Sequence, residues 1–220
     1  MNHLGRGIYS QSEVARFTNV PRTTIRNWLH GAYGGVGRGP VISNTKTATS
    51  VTFLQMIELR VVQQLRNHGI TLPNIRPMYT KIAKELSTKY PFAQRRFYTD
   101  GKAVFLNVLS AQHKSDESLV EVLTGQHAMP SILKQFLAEI HFNHSSGIAE
   151  SWSIAKGIAI DPRVSLGKPI VQGTRSATYV INQALIANDY DADLVAALYD
   201  LTTEDVLNAA QFEASFARAA

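Results

Sequence analysis

The chain has 220 residues, 45% apolar and 18% charged, the proportions of an ordinary folded protein rather than a disordered one. It has no cysteine, which excludes disulfides, thiol catalysis and cysteine-bound zinc, and no run approaches the roughly 18 apolar residues of a membrane span. The net charge of +5 hides a split: residues 1–102 hold 15 Lys+Arg against 4 Asp+Glu, whereas residues 103–220 hold 7 against 13. One half suits a polyanion and the other does not. The first residues, "MNHLGRGIYSQSEVARF", lack the apolar stretch of a secretory signal, so a cytoplasmic protein is expected.

"YSQSEVARFTNVPRTTIRNWLHG" reads as two short helices joined by a tight turn. Ser10 and Glu13 have capping-box spacing, which starts the first helix near Gln11, with Val14 and Phe17 on one face. Asn19 suits a turn, Val20 can point back into the core, and Pro21 opens a second helix. Ile25, Trp28 and Leu29 give that helix its buried side and leave Arg22, Thr23, Arg26 and Asn27 outside. This is the pattern of a helix-turn-helix. Arg forks onto guanine, Asn onto adenine, and Thr reaches a phosphate or a thymine methyl. The expected DNA-reading residues are Arg22, Thr23, Thr24, Arg26 and Asn27.

"GAYGGVGRGPVISNTKTATS" follows, a flexible hairpin or wing on which Arg38 and Lys46 are expected to contact the DNA backbone. Its "GGVGRG" has neither a preceding strand nor a βαβ context, so it is not a dinucleotide site. Leu54, Ile57, Val61 and Leu65 recur at helical spacing, His68 and Gly69 close that helix, and Leu72 to Leu86 form another. Further on, Asp100-Gly101 in "RRFYTDGKAVFLNV" predicts a β-hairpin, "SLVEVL" a strand, and "AEIHFNHSSGIAESW" a second hairpin in competition with a helix from Ser131. His141 and His144 have no third ligand beside them, so no metal site is expected.

From about Ser153 the sequence reads as a loop, "IDPRVSLGKPIVQGTR" at Ile160 to Arg175, followed by three compact helical segments. Its prolines lower the entropy lost on ordering and its glycines permit bends or a close approach to another surface. "VSLGKP" lacks the first glycine and the final Ser/Thr of a phosphate-binding loop. No nucleophile–base spacing appears, so neither catalysis nor a cofactor is expected.

Two stretches carry resemblances. "YSQSEVARFTNVPRTTIRNWL" with "TFLQMIELRVVQQLRNHGITLPNIRPM" resembles the DNA-binding domain of the MerR family. The departures are Arg26-Asn27-Trp28, where that family commonly has paired aromatics, and a longer, glycine-rich wing; the family's long coiled-coil helix and cysteine-lined pocket are not visible. Asp161-Pro162, Gly167-Lys168-Pro169, Gly173-Thr174-Arg175 and the run Leu201 to Val206 resemble the small domain of formerly unknown function found in VapB-type antitoxins, often encoded beside PIN-like toxins. The whole arrangement looks like the longer two-domain VapB antitoxins.

The resemblance implies a partner, a PIN-like ribonuclease whose acidic cluster holds a divalent metal. An arginine reaching that cluster would pair with its carboxylates and compete with the metal. The expected toxin-binding residues are Lys168, Pro169, Gly173, Thr174, Arg175 and Tyr179. The expected fold is α+β: a winged helix-turn-helix domain over residues 1–92, a β-containing connecting and dimerisation segment over 93–152, and a small trihelical antitoxin domain over 153–220. The expected function is that of an antitoxin, not an enzyme, which binds operator DNA as a homodimer and silences a PIN-like ribonuclease toxin. The competing expectation is a MerR-like transcription regulator whose last domain senses a small molecule.

Overall fold

The structure, a computed structural model, describes residues 7–31, 39–42, 49–99 and 138–217. The fold is α+β, and the chain divides into two compact units. The N-terminal unit runs from Tyr9 to Ala149; the C-terminal unit takes the chain from Glu150 onward, together with Ile8.

Strand β1 (Ile8–Ser10), which enters the N-terminal unit at Tyr9, leads into α1 (Gln11–Thr18) and α2 (Arg22–His30). The capping box forms as the spacing predicts: Glu13 N–H donates to Ser10 Oγ at 3.2 Å and Ser10 N–H donates to Glu13 Oε2 at 2.8 Å. Such a cap stabilises a helix start by about 1 kcal/mol. Asn19 ends α1 in the left-handed region at φ 56°, Val20 turns inward and is buried, and Pro21 precedes the first residue of α2. Strand β2 (Ser50–Thr52) pairs with β1. Thr52 and Gln55 then form a second capping box for α3 (Phe53–Asn67), the central helix, with Met56, Ile57, Leu59, Val61, Val62 and Leu65 buried. Gly69 at φ 84° turns the chain into α4 (Leu72–Glu85).

Residues Arg95–Thr99 form a short helix, α5, where the sequence predicted the first flank of a β-hairpin. Packing overrides β-propensity here. Phe97 is buried against Phe92 with ring centroids 4.8 Å apart, and the Tyr98 hydroxyl donates to the Phe92 carbonyl at 3.0 Å. The Asp100-Gly101 turn, the second flank and "SLVEVL" lie outside the described residues. Strand β3 (Ile140–Phe142) appears where the alternation of Ile140 and Phe142 predicts one, and a turn capped by Asn143 follows.

The C-terminal unit is a small antiparallel sheet covered by three helices. Strands β4 (Ala149–Ala155), β5 (Ile158–Ile160) and β6 (Pro169–Val171) pair in order, with Trp152 opposite Ile160 and Ile158 opposite Val171. These strands occupy part of the region that the sequence reads as loop. All residues of β5 and of β6 are buried, so neither triplet shows the two-residue alternation that marks a strand. Helices α6 (Thr178–Ala187), α7 (Ala192–Tyr199) and α8 (Thr203–Ala217) follow, and Ile158, Val171, Ile181, Leu185, Val195, Val206 and Phe212 share one core. Gly157 ties the β4–β5 turn to α8: its φ is +68°, and a Cβ there would sit 2.9 Å from Asn208 Nδ2.

One buried group in the N-terminal unit makes stability depend on pH. Glu58 is fully buried on α3, and the Tyr79 hydroxyl lies 3.0 Å from both Glu58 Oε2 and the Lys89 carbonyl. Burial pushes the Glu58 carboxyl well above the usual carboxylate range; the Tyr79 hydroxyl, the Phe92 amide and the Lys89 charge only partly offset this. Protonated, Glu58 donates to Tyr79 while Tyr79 donates to Lys89, so each hydroxyl proton has an acceptor. Because the folded pKa is raised, the folded state binds the extra proton, and its contribution is lost as pH rises through that pKa. Wild-type thermal stability is expected to fall as pH rises above the ordinary glutamate range, and that of Glu58→Gln to stay flatter and higher at the upper end; melts of both proteins over a pH series check this.

Candidate functional site

Two exposed surfaces collect the residues singled out in the sequence. The first is the outer face of α2. Arg22, Thr23, Arg26 and Asn27 are exposed and Thr24 is half-buried, while Ile25, Trp28 and Leu29 are buried on the opposite side. Anchoring this inner face fixes the direction of the outer one. The Trp28 carbonyl accepts from Val41 N–H at 2.8 Å, and Arg76 Nε donates to the Gly39 carbonyl at 3.0 Å, so the chain returning after α2 is tied to α2 and α4. Arg38 and Lys46 lie outside the described residues.

The second surface is the loop between β5 and α6. Asp161 and Arg163 open it: Arg163 donates to Asp161 Oδ1 from its backbone N–H at 2.8 Å and from Nε at 2.9 Å, and to Asp161 Oδ2 from Nη2 at 2.6 Å. Arg163 Nη1 pairs with Glu150. Burial pushes the Asp161 carboxyl up, but the hydrogen bonds and charge of Arg163 outweigh it and hold the carboxyl below its ordinary value. Arg163 is therefore committed within the unit, although its place in the loop makes it look like a binding cation.

Beyond this clamp, Ser165, Leu166 and Gly167 all have positive φ, at 45°, 57° and 77°. Only glycine adopts that region freely, and the two others cost roughly 1–2 kcal/mol each. The turn projects Leu166 outward, 82% exposed. Ser165 Oγ then donates to the Arg175 carbonyl at 2.7 Å, joining the two ends of the loop.

The structure sorts the predicted toxin-binding residues by their exposure. Lys168, Gly173, Arg175 and Tyr179 are exposed; Thr174 is half-buried; Pro169 is buried as the first residue of β6, opposite Ile160. A proline is tolerated there because the first residue of a strand does not need its N–H. The Thr174 hydroxyl is used locally, donating to the Val171 carbonyl at 2.9 Å and accepting from Ser176 N–H at 3.1 Å. Gly173, at φ +81°, makes the tight turn, and Arg175 follows it with its carbonyl held and its guanidinium without a hydrogen-bond or ion-pair partner among the described residues.

Sequence reasoning missed Leu166 and the exposed Tyr190, Leu194 and Leu198 of the helical part. An apolar residue between Ser165 and a glycine carries no signal of exposure. The spacing of Leu194 and Leu198 is equally that of a buried helix face.

Comparison with known proteins bears on both surfaces. The family model described as "Protein of unknown function (DUF433)" matches residues 158–212, which contain the loop, α6, α7 and the larger part of α8. A Mycobacterium tuberculosis protein described as "Putative antitoxin VapB45" is 24% identical over 186 residues, covering 76% of this chain and 77% of its own length. The uncharacterised protein Rv2308 of the same organism is 23% identical over 219 residues, covering 95% of this chain and 91% of its own. The chain is similar to an antitoxin-like family. The crystal structure of Rv2018 from M. tuberculosis has the same fold, with a TM-score of 0.71 at 20% identity over 94% of this chain and 99% of that one. Among the described residues, no helix is long and apolar enough to cross a membrane.

Ser165→Ala tests the loop's internal brace. Amide hydrogen exchange over residues 165–176 is expected to quicken while that of α6–α8 is unchanged, and overall stability to fall by about 1 kcal/mol, the worth of one hydrogen bond.

Proposed function

We propose that this chain is a dual binder of the antitoxin type. In this reading residues 1–92 bind double-stranded operator DNA as a MerR-like winged helix-turn-helix, and residues 153–220 hold and silence a PIN-like ribonuclease toxin. Residues 93–152 connect the two and supply the contacts of a homodimer, which matches two half-sites on DNA. Arg22, Thr23, Thr24, Arg26 and Asn27 read bases and phosphates, with Arg38 and Lys46 on the wing adding backbone contacts. Binding both partners in one chain represses the operator more strongly when toxin links neighbouring antitoxins, because the effective concentration on DNA rises. The chain acts in the cytoplasm and needs no cofactor.

The observation that carries this reading is Arg175: an exposed guanidinium without a hydrogen-bond or ion-pair partner among the described residues, on a backbone held by Ser165 and the Gly173 turn. A preorganised arginine loses little freedom when it forks onto carboxylates, and a metal-binding acidic cluster offers them. The similarity to VapB45 supports a toxin as the partner, and the excess of 15 basic over 4 acidic residues in positions 1–102 supports DNA as the other.

Arg175→Ala is expected to fold normally and to lose inhibition of the nuclease by about tenfold or more, the usual cost of a charged anchor. Unchanged inhibition removes Arg175 from the interface. On DNA, Arg26→Ala is expected to weaken the preferred site by about 1–3 kcal/mol and relax base preference, while Lys46→Ala weakens all sequences alike. Equal affinity of the wild type for operator and random DNA contradicts operator reading.

A further inference from the structure

The chain turns sharply as it leaves α4. Ser87, at φ 50°, sits in the left-handed region that only glycine adopts freely. Ser87 and Lys89 are exposed and Thr88 and Tyr90 half-buried, so no fully buried side chain pins this stretch. A single tight helical turn follows, Pro91–Ala93, whose three residues are buried against α3 and α4; the Phe92 ring meets Tyr79 edge-on, with centroids 5.2 Å apart. The exposed stretch is tied to this core through the Lys89 carbonyl, which accepts from the Tyr79 hydroxyl at 3.0 Å.

That tie depends on the charge of Glu58. The Tyr79 oxygen lies 3.0 Å from Glu58 Oε2 as well as 3.0 Å from the Lys89 carbonyl, and a hydroxyl has one proton to give. A neutral Glu58 donates to the tyrosine oxygen and leaves the tyrosine proton to Lys89. An ionised Glu58 can only accept, so it competes with the carbonyl for that proton. The carboxylate wins this competition. A charged acceptor holds a proton more strongly than a neutral one, and a buried charge left without a donor costs more than a carbonyl that water can reach.

The neighbours of Glu58 are committed elsewhere. From α5, the Tyr98 hydroxyl donates to the Phe92 carbonyl at 3.0 Å, and burial first, then the Glu58 charge, push it well above its ordinary range. Lys89 is exposed, with its Nζ 5.5 Å from the centroid of the Tyr90 ring. The Phe92 amide faces Glu58, yet Glu58 Oε1 is buried without a hydrogen-bond partner among the described residues. Of the other elements packed on α3, β2 has no titratable side chain, and α1 has the exposed Arg16 and Glu13, which serves the Ser10 cap. On α4, Arg76 Nε holds the Gly39 carbonyl, and Lys81, Lys84 and Glu85 are exposed, as are Arg95 and Arg96 on α5.

We propose that Glu58 and Tyr79 form a proton-operated latch on residues 87–94. With the carboxyl neutral, the Tyr79 hydroxyl holds the Lys89 carbonyl. On ionisation the hydroxyl turns to Glu58 and the segment is released, while α1–α4 stay folded. The released segment is the one that leads the chain out of α4 and into α5, so the proton state of one core residue sets how firmly the chain beyond α4 is held. The latch operates whatever the chain binds.

The test is amide hydrogen exchange of the purified full chain over a pH series, with each rate divided by the intrinsic rate at that pH. The N–H groups of Tyr90, Ala93 and Gln94, which donate to Thr88 Oγ1, the Tyr90 carbonyl and the Pro91 carbonyl, report on the segment, and amides inside α3 serve as reference. The folded state favours the neutral carboxyl, so the latch is closed at low pH and opens as pH rises. Above the ordinary glutamate range, protection of the three reporters is expected to fall by about tenfold or more while α3 keeps its own. Glu58→Gln, whose amide donates to Tyr79 at every pH, is expected to keep the reporters protected throughout. Tyr79→Phe removes the tie and is expected to leave them poorly protected at every pH; should it fail to fold, the wild type and Glu58→Gln still decide. Wild-type protection that does not change with pH, a loss shared equally by α3, or the same loss in Glu58→Gln overturns the latch.

Discussion

The loop after β5 has to reverse through three successive left-handed residues, Ser165, Leu166 and Gly167, and the exposed surface between β5 and α6 depends on that reversal. Two of the three are not glycine, so the turn is intrinsically unfavourable by a few kcal/mol. It persists because its flanks are over-determined. Arg163 clamps Asp161 and Glu150 on one side, β6 pairs with β5 on the other, and Ser165 Oγ holds the Arg175 carbonyl across the gap. The same constraints expose Leu166 and hold the backbone of Arg175. A flexible loop of this composition would have to be ordered by its partner at an entropic cost, and a braced one is not.

The two units divide the physical work. The N-terminal half concentrates cations and, among its described residues, buries its large apolar side chains apart from Ile8, a combination suited to a hydrated, salt-dependent contact with phosphate. The C-terminal unit concentrates carboxylates and leaves apolar side chains exposed, a combination suited to a protein surface. Opposite signs also keep the two surfaces from competing for one ligand. A regulator that binds DNA and protein at once needs that separation.

Much of the N-terminal unit was legible because local chemistry determined it. Ser10 and Glu13, Asn19, Pro21 and the Ile25–Trp28–Leu29 face each specify one backbone state, and the tertiary structure agrees with all of them. Legibility failed where packing decided. Arg95–Thr99 is helical because Phe97 is buried against Phe92, although its composition favours a strand. The triplets Ile158–Ile160 and Pro169–Val171 are strands buried throughout, too short and too uniformly buried to show a period. In the candidate site the glycines and prolines announced a stiff loop, with Lys168 and Arg175 expected on it, but the commitment of Arg163 within the unit was not readable. Arg163 and Arg175 look alike in sequence, and only the positions of Asp161 and Glu150 show that the first is already paired.

The central claim is that one chain joins a DNA-reading surface to a nuclease-holding one. The most direct measurement is co-expression with the product of the adjacent gene, followed by size exclusion with light scattering and a ribonuclease assay on the eluted peak. The account predicts a stoichiometric complex without nuclease activity. Separate elution of the two proteins, with the nuclease fully active in the presence of this chain, would contradict it.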